Sequence, residues 1–360
     1  MEEATTYKLG DISTMKYGKL PPKHINEGNY PIWSGYRYVG KCNEFNCNKG
    51  DIIIVARGVG GTGDVKIAKE DCYLTNLSIQ VKLDKNICQP EYFYYSYLLS
   101  NLKYLDSGSA QSQITIEDLK RLEVTLPPLE QQHKITDILK SIDEKIELNR
   151  QINDNLEQQA SSLLSDWIST YPCRTYKLSD ICKYANAKCE TGNLIPQNYI
   201  STENMLPNKK GIVEASNIPT GKATCYKVDD VLIANIRPYF QKIWKADING
   251  GCSADVLCIR ANIESHSPIL YWLLHQDAFF EYVMTGAKGC KMPRGDKQHI
   301  MNWSIDLPEV QYWADLATQL GSIDQQIAYN RIESINLSNL RDTLLPKLMS
   351  GELEINEIDC

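Results

Sequence analysis

Residues 129–167 read LEQQHKITDILKSIDEKIELNRQINDNLEQQASSLLSDW and contain neither proline nor glycine. One heptad position of this stretch is filled by Ile135, Ile142, Asn149, Leu156 and Leu163. A mainly apolar position that recurs every seven residues over five heptads is typical of a coiled-coil helix rather than of an ordinary surface helix. The stretch therefore predicts a long helix over residues 129–168 that pairs with a second helix.

The same pattern returns 181 residues further along the chain. Leu126-Pro127 falls on Leu307-Pro308, and Ile142-Asp143 falls on Ile323-Asp324. The shifted heptad positions are Leu316, Ile323, Asn330, Leu337 and Leu344. An internal repeat of this length indicates two similar lobes, each followed by its own long helix. We expect the two helices to pack antiparallel, with one lobe toward each end of the pair.

Asparagine occupies the same heptad position in both copies, at Asn149 and Asn330. An asparagine on an apolar seam lowers stability but fixes register and partner, because a slipped pairing leaves its amide without a hydrogen bond. The alternative is that both residues lie on the solvated rim of the helix pair. We favour pairing across the seam.

The two lobes begin alike, with Tyr7-Lys8-Leu9 in the first and Tyr176-Lys177-Leu178 in the second. Each continues with an apolar run that starts at an aspartate and ends at an arginine, over residues 51–57 and 230–237. β-Branched residues bounded by Asp, Gly and Pro predict strands with tight turns. Short helical patterns follow in both lobes. We therefore predict an α+β fold in which two mixed α/β lobes are separated by the long antiparallel helices.

Glycines follow the first apolar run, in the sequence GVGGTG over residues 58–63. A phosphate-binding loop would end in Gly-Lys-Ser/Thr and lead into a helix, whereas residues 65–68 have the pattern of a second strand. We therefore predict a hairpin at this position rather than a nucleotide site.

A polar loop closes each lobe before its long helix. In the second lobe residues 286–297 read GAKGCKMPRGDK, and in the first lobe residues 107–113 read SGSAQSQ. Lysine and arginine bind phosphates, and Arg, Gln and Ser also reach base edges, although a solvated surface loop is the alternative. Candidate nucleic-acid contacts in the loops and beside the apolar runs are Arg57, Lys66, Gln111, Ser112, Gln113, Arg237, Tyr239, Lys291, Arg294 and Lys297.

The distribution of charge is compatible with this interpretation. The chain carries a net charge of −7, but residues 129–168 alone carry −4 and residues 309–360 carry −6. The acidic excess therefore lies on the helices, and the lobes are mildly basic. This permits binding of a polyanion by the lobes without requiring it.

Several functional classes are disfavoured by what the sequence lacks. No apolar run approaches the roughly 18 residues of a membrane span, and no signal-peptide pattern opens the chain. The 12 cysteines form no C-x-x-C pair and the 5 histidines no H-x-x-x-H motif, so we expect no metal site and reduced thiols in a cytoplasmic protein. A methyltransferase Asp/Asn-Pro-Pro-Tyr/Phe loop and a Walker lysine are also missing. The sequence thus predicts a binding protein rather than an enzyme.

Four segments of the chain match motifs of one protein family. Residues 125–132 (TLPPLEQQ) resemble the point where a recognition domain joins a conserved helix, and residues 344–353 (LLPKLMSGEL) resemble the end of a second such helix. Residues 230–237 (DVLIANIR) and 291–296 (KMPRGD) resemble segments of the recognition domains. The family is that of the specificity (S) subunits of type I restriction-modification systems.

Two segments depart from the family pattern. Residues 307–313 read LPEVQYW, without the double proline and Glu-Gln-Gln of the first copy. The first lobe also has no counterpart of KMPRGD, so we expect the two lobes to read different sequences.

The resemblance implies a non-catalytic DNA-recognition subunit. Each lobe would read one half of a bipartite, asymmetric target, and the paired helices would act as a ruler on which two methyltransferase (M) subunits dock. The chain itself would bind no cofactor, with S-adenosylmethionine on the M subunits and ATP and Mg on restriction (R) subunits. The implied domains are two target-recognition domains, 1–128 and 169–308, and two conserved helices, 129–168 and 309–360, the latter including a tail. The alternative function is a coiled-coil scaffold with two protein- or glycan-binding lobes.

Overall fold

The chain divides into two units, each containing one lobe and segments of both long helices. The computed structural model describes residues 4–23, 25–58, 61–106 and 113–353. Unit 1 extends to Glu147 and resumes at Ser334, and unit 2 is Leu148–Glu333.

The first lobe is mixed α and β. Its described elements are β1 (Thr5–Lys8), β2 (Ser13–Tyr17), β3 (Tyr30–Ser34), β4 (Arg37–Cys42), β5 (Ile52–Val55), β6 (Val65–Ile67), β7 (Tyr73–Leu74), β8 (Ser78–Leu83), α1 (Pro90–Ser96), a 3-10 turn (Lys103–Leu105), α2 (Ile116–Lys120) and β9 (Glu123–Leu126). The main sheet has the order β2-β8-β5-β6, and a second sheet has the order β4-β3-β7. Strands β1 and β9 pair separately and bring the two ends of the lobe together, directly before the first long helix, α3 (Leu129–Thr170).

The second lobe repeats this plan. Its described elements are β10 (Cys173–Lys177), α4 (Leu178–Ile181), β11 (Cys182–Tyr184), β12 (Lys188–Glu190), β13 (Tyr199–Ile200), β14 (Lys222–Tyr226), β15 (Val231–Ala234), β16 (Ile243–Lys245), β17 (Gly250–Cys252), β18 (Val256–Ala261), α5 (Ser267–Leu274), α6 (Asp277–Thr285), α7 (Lys297–Met301) and β19 (Ser304–Pro308), with 3-10 turns at Thr191–Asn193, Pro238–Phe240, Glu264–His266 and Val310–Tyr312. The sheet β11-β18-β15-β16 corresponds to the main sheet of the first lobe, and β12-β14-β17-β13 forms the second sheet. The pair β10-β19 leads into the second long helix, α8 (Trp313–Ser350).

The predicted hairpin in the first lobe is confirmed. Strand β5 pairs antiparallel with β6, with Ile52 opposite Ile67. Gly63 stands just before β6 with a φ of +92°, and a Cβ there would lie 2.4 Å from the backbone nitrogen of Lys103. Only glycine fits this backbone conformation and this close approach.

A buried carboxylate begins the inner strand of the main sheet in each lobe, at Asp51 and Asp230. Each accepts a hydrogen bond from the backbone N–H three residues earlier, at 3.1 and 2.8 Å, which closes the turn before the strand. Asp51 then accepts from the Gln80 amide at 2.6 Å, whereas Asp230 binds the Arg260 guanidinium with two bonds of 2.7 and 2.6 Å. The repeat thus preserves the carboxylate but changes its partner.

In unit 1 the two helix segments run antiparallel and share the core of the lobe. Ile135 and Leu139 of α3 lie in one apolar cluster with Leu345 and Leu348 of α8 and with the strands of the main sheet. The helix faces toward the lobe are therefore buried in the same core that the sheet buries.

In unit 2 the seam has its own cluster, to which the lobe contributes helix α5. Its buried members on the long helices are Ala160, Leu164, Trp167, Trp313, Leu316, Ala317 and Leu320. Late residues of α3 meet early residues of α8, so this segment is also antiparallel. The heptad pattern had placed Leu163 in the seam. In the structure Leu164 is buried instead, and Leu163 packs at the edge of the cluster.

A polar layer interrupts the seam in unit 2. Asn149 and Asn330 retain only 1% and 3% exposure, so both lie between the helices rather than on the rim. The Asn149 amide donates to Glu333 Oε2 at 2.6 Å, and the Asn330 amide donates to Asn153 Oδ1 at 2.8 Å. Each asparagine therefore has a partner on the opposite helix.

The two long helices begin with different sequences, but each start makes an equivalent side-chain hydrogen bond. In the first copy the buried Gln132 donates through Nε2 to the Pro127 carbonyl at 2.9 Å. In the second copy the buried Trp313 donates through its indole N–H to the equivalent Pro308 carbonyl at 2.8 Å. The second copy has lost the Glu-Gln-Gln motif and keeps this contact with an indole in place of an amide.

The different partners of the two strand-start carboxylates predict different costs of removal. Asp230→Ala should destabilise the chain by about 3 kcal/mol, because it leaves the half-buried Arg260 guanidinium unpaired. Asp51→Ala should cost about 1.5 kcal/mol, since its side-chain partner is the neutral Gln80 amide and the loss of the turn bond is common to both variants. Urea unfolding of both variants measures the difference, and equal losses would contradict this assignment.

Candidate nucleic-acid interface

The basic loop of the second lobe, residues 286–297, is held against the segment that follows β15. Lys288 and Arg294 exchange two backbone hydrogen bonds of 2.9 Å, and Gly295 N–H donates to the Asn235 carbonyl at 3.1 Å. Arg237 N–H donates at 2.7 Å to the carbonyl of the residue before Arg294. The structure therefore brings the predicted residues Arg237 and Arg294 together, although 57 positions separate them in the sequence.

Arg237 lies just after the strand of the second lobe, as predicted. Strand β15 ends at Ala234, and Arg237 has a φ of +52° in the left-handed region. Its Nε atom is buried and has no hydrogen-bond partner among the described residues. A strained non-glycine backbone and an unpaired buried donor both cost free energy, and such costs concentrate at ligand sites.

The cations of the loop differ in their availability. Lys288 is paired with Asp296 at 2.6 Å, and Arg294 is paired with Asp255 at 3.2 Å. The Lys288 ammonium and the backbone N–H groups at the start of α7 lower the pKa of Asp296 from its usual 3.8 to about 2. Lys291 is exposed and has no ion-pair partner within the described ranges.

Aromatic side chains accompany these cations. Lys297 Nζ lies 5.7 Å from the ring centroid of Tyr184. In the turn after Arg237, the exposed Tyr239 contacts Phe240 at 4.7 Å between ring centroids. Exposed aromatic rings beside cations form a surface suited to an external partner.

In the first lobe, Arg57 lies two residues beyond the end of β5. One guanidinium nitrogen donates to the Asn76 carbonyl at 3.3 Å, and Nε is buried without a partner in the described part of the chain. The neighbouring Ala56 carbonyl accepts from Ile114 N–H at 3.0 Å. Ile114 is 181 residues before Gly295, so this bond is the counterpart of the Gly295–Asn235 bond in the second lobe.

The other candidates of the first lobe are only partly described. Lys66 lies half-buried in β6, opposite Ile53 of β5. Gln113 N–H donates to the Asp106 carboxylate at 3.1 Å. Gln111 and Ser112 lie outside the described residues.

The predicted helix-pairing residues fall into two groups by burial. Those that are buried are Ile135, Ile142, Asn149, Leu316 and Asn330. Those that are half-buried are Leu156, Leu163, Ile323, Leu337 and Leu344.

Sequence reasoning missed the acidic partners of the loop. Asp296 belongs to the quoted KMPRGD segment, so an acid inside a basic run was the available signal. Asp255 carried no such signal, because it lies in the turn before β18, distant in sequence from Arg294. Among the described residues, no group of three or more His, Cys, Asp or Glu side chains could hold a metal ion, and no helix is long and apolar enough to cross a membrane.

Comparison with known proteins identifies relatives along the whole chain. A family model, the type I restriction modification DNA specificity domain, matches residues 1–158. The type I restriction enzyme MjaIX specificity subunit of Methanocaldococcus jannaschii is 24% identical over 418 residues, covering 98% of this chain and 94% of that protein. The HindI specificity subunit of Haemophilus influenzae is 36% identical over 105 residues, 27% of this chain and 23% of that protein.

This chain is similar to type I specificity subunits over nearly its whole length. A crystal structure of a type I restriction-modification S subunit from M. genitalium has the same fold, with a TM-score of 0.61 at 20% identity over 96% of both chains. The resemblance inferred from the helix and loop motifs is thereby confirmed. The positions of individual contact residues in this chain stay predictions.

The ion pairs of the loop predict which lysine controls the Asp296 carboxyl. Lys288→Met should raise the pKa of Asp296 from about 2 toward 3.8, because Lys288 is the main cause of its depression. A carboxyl with a depressed pKa stabilises the fold above pH 3.8 and loses that contribution as the pH falls toward 2. An NMR titration of the Asp296 carboxyl carbon from pH 7 to below about 2 measures the shift. Lys291→Met is the matched control and should leave the titration unchanged; an equal effect of both variants would refute the pairing.

Proposed function

We propose that this chain is the DNA-recognition subunit of a type I restriction-modification system, in which each lobe reads one half of a bipartite, asymmetric target. The specificity-domain match and the full-length relatives support this function. The observation that carries the assignment to the lobes is the recurrence of one arrangement. In each lobe an arginine follows the inner strand with a buried Nε that has no partner among the described residues. Close to it in sequence, a carbonyl accepts a backbone bond from a later segment, from Ile114 in the first lobe and from Gly295 in the second. As a specificity subunit the chain is non-catalytic.

Within this function the cations divide into two roles. Arg57 and Arg237 are anchored by their lobes and are proposed to read guanine, since a guanidinium can bind O6 and N7 together. Lys291, Arg294 and Lys297 lie on the exposed loop and are proposed to bind phosphates, which positions the lobe without selecting sequence.

DNA and the M and R subunits are the partners of a specificity subunit in general, and we propose that two M subunits dock on the helices of this one. Leu148 of α3 and Tyr329 of α8 are separated by the repeat distance of 181 residues. Both are unusually exposed for large apolar residues, at 48% and 63%. Repeated apolar exposure offers two equivalent docking positions. S-adenosylmethionine would then be bound by the M subunits, and ATP and Mg by R subunits.

The alternative, a scaffold whose lobes bind protein or glycan, has less support. It gives no reason for an arginine shortly after the inner strand of each lobe with a buried Nε that lacks a partner among the described residues. It also leaves the match to a DNA specificity domain unexplained.

The loop cations should contribute affinity without sequence preference. Replacing Lys291, Arg294 and Lys297 together by Ala should weaken DNA binding by the complex assembled with its M subunits. The slope of log affinity against log salt should flatten by about 0.9 for each phosphate that the loop no longer neutralises. The charge-preserving exchange Lys291→Arg, Arg294→Lys and Lys297→Arg is the control and should keep the slope. Unchanged affinity and slope in the alanine variant would make the loop ordinary solvated surface.

The two anchored arginines should contribute specificity. Arg57→Ala and Arg237→Ala should each lower affinity by about 1–3 kcal/mol and relax preference in one half-site only, a different half-site for each variant. Binding to libraries randomised in either half-site measures this. An equal loss on all sequences would assign the arginine to phosphate, and no loss would make it structural.

A further inference from the structure

The dipeptide Ile-Asp is one of the signatures of the repeat, at Ile142-Asp143 and Ile323-Asp324. Neither aspartate is required by the coiled-coil pattern, and neither takes part in the DNA contacts proposed above. Both lie on the long helices, and both face the lobe of their own unit.

In unit 1 the Asp143 carboxylate joins the lobe to both helices. Tyr95 of α1 donates its hydroxyl to Asp143 Oδ2 at 2.8 Å. Arg341 of α8 donates to Asp143 Oδ1 at 2.7 Å. Burial and the bond to Asp143 raise the pKa of Tyr95 above its usual range, so the hydroxyl remains a donor at all physiological pH values.

In unit 2 the Asp324 carboxylate has the same kinds of partner. Trp272 of α5 donates its indole N–H to Asp324 Oδ1 at 2.8 Å, and Lys245 of β16 donates to Oδ2 at 2.6 Å. Only 11% of the Asp324 side chain is exposed, and this burial raises its pKa. Trp272 itself is fully buried.

The two sites are similar, although the cation comes from the other long helix in unit 1 and from a lobe strand in unit 2. In each, a helix aspartate binds one cation and one aromatic N–H or O–H donor on a helix of the lobe. A charge-assisted bond is short and directional, and a buried carboxylate has few alternative partners. An apolar packing surface alone allows a lobe to rotate slightly on its helices, whereas a directional hydrogen bond at the edge of that surface restricts this rotation.

We propose that Asp143 and Asp324 are positioning residues that fix the angle of each recognition lobe on its helices, and so determine how strictly the complex selects the gap between half-sites. This inference rests on the proposed function. The carboxylates touch no DNA; they act through the lobes that do.

The test uses the full chain assembled with its M subunits. Asp143→Asn and Asp324→Asn, together, keep the side-chain shape and remove the charge. Methylation is measured on targets that keep both half-sites and vary the gap one base pair at a time. We expect the preference for the best gap over its neighbours to fall by roughly tenfold or more, because each of the two substitutions weakens a charge-assisted bond and the loss of one such bond corresponds to a factor of about ten. Preference within each half-site should remain.

Glu144→Gln is the matched control. Glu144 is the next residue of α3, carries the same charge and is exposed, and within the described part of the chain it pairs with Lys140 on its own helix, at 3.6 Å. Its substitution should leave gap selection unchanged. If the double variant does not fold, Tyr95→Phe removes a single hydroxyl and should relax gap selection to a smaller extent.

The outcomes separate the two proposals. A wild-type complex that selects a bipartite target, with variants whose gap preference equals wild type, overturns the positioning role alone. A wild-type complex without a bipartite target overturns the proposed function, and the positioning role with it. A loss of half-site preference together with gap preference would indicate general loosening of the lobes and would also contradict a positioning role.

Discussion

The apolar seam of the long helices is the interaction on which each unit depends. Helices with polar outer faces gain most of their stability from packing rather than from intrinsic propensity. In unit 1, Ile135 and Leu139 of α3 are buried in the same cluster as Ile52 and Ile54 of the inner strand. In unit 2, Leu320 of α8 lies in one cluster with Trp272 of the lobe helix. A lobe cannot separate from its helices without opening a close-packed core, so this packing holds the lobe and its helix segments together, although small rotations of the lobe remain possible.

Local patterns predicted the helices and the hairpin, and long-range contacts decided the rest. The heptads located α3 and α8 because seam burial has the period of the sequence, and β6 was predictable from residues adjacent to β5. The left-handed Arg237 was not predictable, since its conformation depends on backbone bonds to the distant loop 286–297. Nor could the sequence show that Leu164 rather than Leu163 is buried, because a residue on either side of a seam satisfies the same pattern.

Several of the acidic side chains have structural roles. Asp143 and Asp324 hold the lobes, Asp230 holds the inner strand of the second lobe, and Asp296 and Asp255 neutralise part of the basic loop. Carboxylates engaged in this way contribute little repulsion toward a polyanion, because each is already paired with a cation or a donor. The net charge of −7 comes from residues 129–168 and 309–360, which carry −4 and −6, rather than from the lobe surfaces proposed to meet DNA.

The two copies agree where they build the scaffold and differ where they are proposed to read sequence. The scaffold tolerates exchange of chemistry when a hydrogen bond survives, as when Trp313 replaces Gln132 on the same carbonyl. Side chains that follow the inner strand of each lobe, which are proposed to read DNA, do not have to preserve such a hydrogen bond. Ala56 of the first lobe corresponds to Asn235 of the second: each carbonyl accepts a backbone bond, from Ile114 and Gly295 respectively, but the two side chains differ in hydrogen-bonding capacity. The duplicated scaffold fixes the backbone contacts in both lobes but does not constrain these side chains. It is therefore suited to two unlike half-sites, because the side chains proposed to read DNA can change in either lobe without disturbing the helices.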